Sequence, residues 1–172
     1  ATKGRAIQNM INIPSDDKVM AFINTKDLKD EDYVNTHYVV MCTKKGVVKK
    51  TSLESYSRPR QNGINAITIR EEDQLLEAKL TTGNSQIMLA VRSGKAIRFE
   101  EEKVRPMGRT ASGVRGVTLA NDNDEVVGMI CVNDFESDVL VVSENGYGKR
   151  SSIEDYRICL LYTSPSPRDP SI

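Results

Sequence analysis

The side chains with the clearest chemical potential are cationic, and they come in runs. Between Thr43 and Gly63 stand Lys44, Lys45, Lys49, Lys50, Arg58 and Arg60 against the single acid Glu54. Between Arg92 and Gly116 stand Arg92, Lys95, Arg98, Lys103, Arg105, Arg109 and Arg115 against Glu100, Glu101 and Glu102. Lys149 and Arg150 form a shorter third group, whereas Val117 to Asp138 holds six acids and no Lys or Arg. The formal net charge is zero, which on its face argues against a nucleic-acid binder; the distribution argues the other way. Cations that recur at matching places can neutralise successive phosphates and release counterions without reading a base. Such binding weakens with log salt by about 0.9 per contact. The competing reading is that these are solvated turn charges that keep hairpins soluble.

Other chemistry finds little support. His37 is the only histidine, and no nucleophile motif surrounds it, so it reads as a loop residue after EDYVNT. Cys42, Cys131 and Cys159 are an odd, unevenly spaced set that suits neither a disulfide framework nor a metal site, and they read as reduced thiols. No catalytic residue and no metal ligand is assigned. The stretch Gly113 to Gly116, GVRG, is followed by no G-K-S/T and no helix, so its glycines are read as structural. With no Trp and three Phe, stacking on single-stranded bases is unpromising.

The elements that must position the cations are repeats. One unit reads YVVMCTKKGVVKKTSLESY at Tyr38 to Tyr56, IMLAVRSGKAIRFEEEKV at Ile87 to Val104 and VLVVSENGYGKRSSIEDY at Val139 to Tyr156. Gly46, Gly94 and Gly146 align at intervals of 48 and 52 residues. Lys45-Gly46, Ser93-Gly94 and Asn145-Gly146 supply the positive φ that a tight hairpin turn needs. Thr51-x-x-Glu54 and Ser151-x-x-Glu154 have capping-box spacing, which predicts one helical turn after the second strand. A second unit, anchored at Gly4, Gly63 and Gly113, carries turn residues Asp17, Asp73 and Asp124, each followed by an apolar run. It predicts a further strand pair around DDKV, EDQL and NDEV.

About four short strands per 50-residue period suit a blade of a propeller-like all-β structure. The blades are read as 1–37 (partial), 38–86, 87–138 and 139–157 (partial). Two whole blades are fewer than the roughly four to eight that close a ring, so an open piece of a larger ring is expected. After Arg157 the pattern stops, and Pro165, Pro167 and Pro170 suit an extended or unstructured tail at 158–172, which reads either as a natural end or as foreign sequence joined where the reading frame was lost. No apolar run reaches the roughly 20 residues of a spanning helix, and the first residues lack signal-peptide features; a cytoplasmic location without membrane contact is the expectation.

The alternating units, as in VVMCTKKGVVKKTSLESY, VLVVSENGYGKRSSIEDYR and RPMGRTASGVRGVTLANDNDEVVGM, resemble the C-terminal β-pinwheel of DNA gyrase A and, more distantly, that of topoisomerase IV. The likeness runs from Ala1 to about Arg157. It implies a six-bladed ring whose basic rim wraps duplex DNA without sequence preference, supporting ATP-dependent negative supercoiling. It also implies that the rest of gyrase A, together with gyrase B, are partners, and that ATP and Mg are bound elsewhere in the parent enzyme, with no cofactor in this segment. By motif position the DNA contacts would be Lys44, Lys45, Lys49, Lys50, Arg92, Lys95, Arg98, Lys149 and Arg150 on or just after the hairpin turns. Arg58, Arg60, Arg105, Arg109 and Arg115 would join them from the linkers. The family's basic heptapeptide Q-R-R-G-G-K-G has no counterpart here, nor does its catalytic tyrosine region, so Tyr33, Tyr38, Tyr56, Tyr147, Tyr156 and Tyr162 are not read as nucleophiles. A propeller-type protein-interaction scaffold is the alternative.

Overall fold

The computed structural model describes residues 3–159. Its regular structure is almost wholly β. Three hairpins repeat along the chain: β1 (Tyr38–Thr43) with β2 (Val47–Ser52), β4 (Gln86–Val91) with β5 (Ala96–Glu100), and β8 (Asp138–Val142) with β9 (Gly148–Ser152). Their registers correspond, with Met41↔Lys49, Leu89↔Ile97 and Val141↔Lys149 as equivalent pairs. The turn glycines Gly46, Gly94 and Gly146 have φ of 85°, 86° and 81°, as the sequence predicts for tight turns.

Each of the first two hairpins gains an outer strand: β3 (Leu75–Thr81) pairs with β1, and β7 (Val126–Val132) pairs with β4. Both pairings shift register at the same place, between Cys42 and Thr43 and between Ala90 and Val91, where a bulge adds twist to the strand. The other edge of β2 is taken by β6 (Val114–Arg115), which belongs in sequence to the following repeat. Successive blades are therefore interlocked: a sheet ordered β3-β1-β2-β6, a sheet ordered β5-β4-β7, and the β8-β9 pair, none of them closed into a ring.

The second unit departs from its expected strand pair. It supplies one full strand, after the acidic turn, and the residues before that turn run mostly as an irregular linker because their hydrogen-bonding partners lie in the neighbouring repeat. Residues 3–29 contain only the 3-10 turn Ile7–Asn9, so the first partial blade shows no strand among the described residues. An unforeseen helix, α1 (Glu31–Thr36), follows, capped by Asp30, whose side chain accepts from Tyr33 N. His37 ends it: its Nδ1 lies 2.8 Å from Tyr33 O, a structural role. The helical turns after the hairpins form at Leu53–Tyr56 and Ile153–Asp155, but Ser52 and Ser152 cap them instead of Thr51 and Ser151. Of the expected tail, Ile158 and Cys159 belong to the fold. Ile158 bridges Arg98, and Cys159 N donates to Arg98 O just as Met107 N donates to Lys50 O one repeat earlier. Residues 160–172 lie outside the described residues.

Strand alternation explains the core. Val40 and Cys42 point from β1 toward the second sheet and join Val48, Ile87, Leu89, Phe99, Val126 and Met129 in one cluster. Val39 and Met41 point the other way, under α1, with Val34, Leu53 and Ala78. The first sheet is thus covered on both faces, which suits the near-continuous apolar run YVVMC. Each fully buried Val, Leu or Ile contributes about 1.5–3 kcal/mol. Where β6 lies on β2, the β2 backbone leaves no room for a Cβ: one added to Gly113, at φ 108°, would come 2.6 Å from Val48 O. The GVRG stretch is there for close approach between blades, in keeping with the structural role expected of its glycines. The cysteines are free thiols, and burial pushes Cys42 and Cys131 up to about 12.

Candidate nucleic-acid interface

The three hairpin tips close in the same way, the third with Gly146 N donating to Ser143 O. In the first, Gly46 N donates to Thr43 O, which closes the turn and leaves Lys44 half-buried and Lys45 exposed. In the second, Gly94 N donates to Val91 O, and Arg92 and Lys95 project outward. These cations are partly compensated, with Lys45 Nζ 3.7 Å from Glu72 and Arg92 Nη2 2.6 Å from Glu125. On the third hairpin Lys149 and Arg150 are exposed, and Arg150 Nε pairs with Asp138 at 2.6 Å.

The linkers make a different kind of surface. The linker after the first hairpin and the one after the second run side by side, laced by Thr68 N to Ala111 O, Thr68 Oγ1 to Thr110 O at 2.6 Å, Arg109 Nη1 to Asn65 O at 3.1 Å and Arg70 Nη2 to Gly113 O at 3.3 Å. These bonds join residues 65–70 to residues 109–113, partners 42 to 44 residues apart in sequence. Along the two linkers Arg58, Arg60, Arg105 and Arg115 are exposed, Arg109 is half-buried, and among the described residues none of the five has a carboxylate within ion-pair distance. Arg115 pairs with Val47, next to the first turn, so the linker surface runs up to the hairpin tip. Exposed Arg70 also lies on it; its isolation between Ile69 and Glu71 gave no signal in the sequence.

Three of the expected contacts are inside the protein. Lys49 is 0% exposed: its ammonium donates to Ala66 O, Arg109 O and Tyr56 OH, stitching both linkers to β2. Burial, reinforced by the nearby Arg109 charge, pushes its pKa down to about 8. Lys50 is 4% exposed and pairs with Glu101, and Arg98 is 7% exposed with Nε lacking a partner among the described residues. A lysine in a strand alternates between faces, and here both faces are covered, so Lys49 and Lys50 cannot reach a phosphate. The basic run KK at 49–50 suggests a surface because burying adjacent lysines is rare. No group of three or more His, Cys, Asp or Glu side chains that could hold a metal occurs among the described residues, and no helix there is long and apolar enough to cross a membrane.

The family described as DNA gyrase C-terminal domain, beta-propeller, matches residues 37–82, 86–133 and 137–159, one segment per hairpin. The chain belongs to the DNA gyrase C-terminal domain family. Among its relatives, DNA gyrase A of Staphylococcus epidermidis is 42% identical over 158 residues, covering 91% of this chain and 17% of that protein. DNA gyrase A of Staphylococcus aureus gives the same identity and coverage. The chain thus spans about one-sixth of the length of these relatives. The solved C-terminal domain of DNA topoisomerase IV superposes with a TM-score of 0.80 at 26% identity, covering 91% of this chain and 47% of that one. A solved C-terminal domain of DNA gyrase A gives 0.75 at 24% identity, covering 90% and 49%. The gyrase family and its propeller-like fold account for the paired hairpin and linker units.

Proposed function

We propose that this chain binds duplex DNA through its backbone and bends it along the linker surface, as the DNA-wrapping part of a type IIA topoisomerase. The observation that carries this reading is the lacing of two linkers that leaves Arg58, Arg60, Arg105 and Arg115 exposed without carboxylate partners. Lys44, Lys45, Arg92 and Lys95 extend the track at the hairpin tips, with Arg109, Lys149 and Arg150 as further contacts; Lys49, Lys50 and Arg98 are withdrawn from it. Bending tens of base pairs costs several kcal/mol on elastic estimates, about 1–6 for a site of 20–30 base pairs, so many phosphate contacts must offset it. The blade borders 1–37, 38–86, 87–138 and 139–157 are kept as the partition of the track.

In the parent enzyme the wrapped segment would be presented to the remainder of gyrase A, with gyrase B hydrolysing ATP with Mg, and the setting would be cytoplasmic. The test is duplex binding measured against salt with two unrelated sequences of equal length. Equal affinities that fall steeply with log salt support the proposal. Absence of binding at low salt, or affinity indifferent to salt, overturns it.

A further inference from the structure

Two carboxylates sit at the base of the basic tips in the same way. Asp73 Oδ1 accepts from Lys45 N at 3.0 Å and from Gln74 N at 2.8 Å; Asp124 Oδ1 accepts from Ser93 N at 3.1 Å and from Glu125 N at 3.1 Å. Lys45 and Ser93 each stand immediately before the turn glycine, so in both repeats the carboxylate grips the same residue of the hairpin turn. A backbone bond reinforces each grip: Lys44 N donates to Gln74 O at 2.9 Å, and Arg92 N donates to Glu125 O at 2.8 Å. The aspartates are themselves held by short turns, with Asp73 N donating to Arg70 O and Asp124 N to Asn121 O. Asp17 N donates to Pro14 O in a third turn of this form. Glu72, just before Asp73, takes a left-handed φ of 56°, a conformation that a non-glycine residue adopts only when its surroundings impose it.

An acid beside a phosphate-binding surface is electrostatically unfavourable, so its repeated placement there calls for a geometric reason. We infer that Asp73 and Asp124 are positioning residues that clamp the hairpin turns and aim Lys44, Lys45, Arg92 and Lys95 at the DNA backbone. Burial opposes ionisation of Asp124, yet the bonds from Ser93 and Glu125 outweigh it and hold the carboxyl below its ordinary value, consistent with a charge engaged by the turn. The inference rests on the DNA-binding reading above and adds that part of the track depends on anionic residues.

The two possible roles of these aspartates predict opposite signs. If their charge merely repels DNA, then removing it strengthens binding in any variant. If they clamp the turns, Asp73→Ala with Asp124→Ala weakens binding and lowers the salt slope by about one to two, at about 0.9 per lost contact. Asp73→Asn with Asp124→Asn keeps an oxygen acceptor while removing the charge, so it binds at least as well as the parent chain. Duplex affinity is measured against salt for all three proteins, at a temperature where thermal melts show each fully folded. Amide exchange at Lys45 and Ser93 is read alongside, without DNA. Weakened binding with faster tip exchange in the alanine pair, both restored in the asparagine pair, supports the clamp. Equal tightening in both pairs, or unchanged tip exchange in the alanine pair, overturns it. Failure of the parent chain to bind duplex while the exchange pattern holds sinks the DNA-binding reading and, with it, the purpose assigned to the clamp.

Discussion

Lys50 Nζ lies 3.4 Å from Glu101 Oε1, and the two side chains come from neighbouring repeats, each at most 5% exposed. Thr81 Oγ1 donates to the same oxygen, Ser85 N donates to Oε2 at 3.1 Å, and Lys50 Nζ sits 4.5 Å above the Tyr38 ring. The pair is a polar rivet between the first two blades. Counted from the turn glycine, Glu101 occupies the place of Leu53 and Ile153, both buried apolar residues. Glu101→Ala is expected to cost about 3–5 kcal/mol in denaturant unfolding, because it strands a buried ammonium. The double change Lys50→Met with Glu101→Leu is expected to restore most of that loss. A double variant as unstable as the single one would contradict the rivet.

Lys49 carries a prediction about pH. Its folded value of about 8 lies below the ordinary 10.5, so between those values the unfolded chain binds more protons than the folded one. Stability contributed by this group therefore rises as pH increases through that window. Lys49→Met should remove this rise relative to the parent chain in paired unfolding curves from pH 7.5 to 10.5. It should also lower stability by about 1–3 kcal/mol, since Arg109 O loses its ammonium donor while Ala66 O keeps the one from Tyr56 OH.

The charge-reversal test that the sequence suggests at Lys49 and Lys50 is redirected by their burial: Glu at either position should damage folding itself. The informative reversals are Arg58→Glu, Arg60→Glu and Arg105→Glu, at exposed positions free of carboxylate partners among the described residues. They should change the unfolding free energy by no more than about 0.5 kcal/mol each, as surface changes do. They should reduce the salt slope of duplex binding by about three, at 0.9 per contact. Unaltered DNA affinity would remove these arginines from the track.

Gly113→Ala tests the interlock between blades. The added methyl meets Val48 O at 2.6 Å and the backbone is at φ 108°, so a loss above about 1 kcal/mol is expected in denaturant unfolding, whereas Gly128→Ala, with nothing within 4 Å, should be near neutral.

The third hairpin supplies a prediction about solubility. Leu140, Val141 and Val142 are exposed on β8, which has only β9 as a partner among the described residues, while β1 and β4 each carry an outer strand. Open apolar edges associate. Val141→Lys should reduce concentration-dependent self-association in sedimentation velocity without changing the fold.

Much of this architecture could be read from spacing. The 48- and 52-residue intervals between Gly46, Gly94 and Gly146 locate all three turns, and the apolar runs before them are strands. What spacing misses is partnership across repeats. The pairing of Val114 and Arg115 with β2 depends on a neighbour that no local pattern names, so the linker reads as half of a strand pair. Likewise the burial of Lys49 and Lys50 follows from layers stacked on both faces of one sheet, and their charge alone points outward. Arg58, Arg60 and Arg105 need no such information, because loops rich in Pro, Gly and polar residues stay on the surface.

The loan of Val114 and Arg115 to the preceding sheet means that sequence periods and sheets are out of phase. A break at the border between residues 86 and 87 therefore strips β2 of an edge neighbour, whereas a cut after Arg115 would keep the first sheet whole.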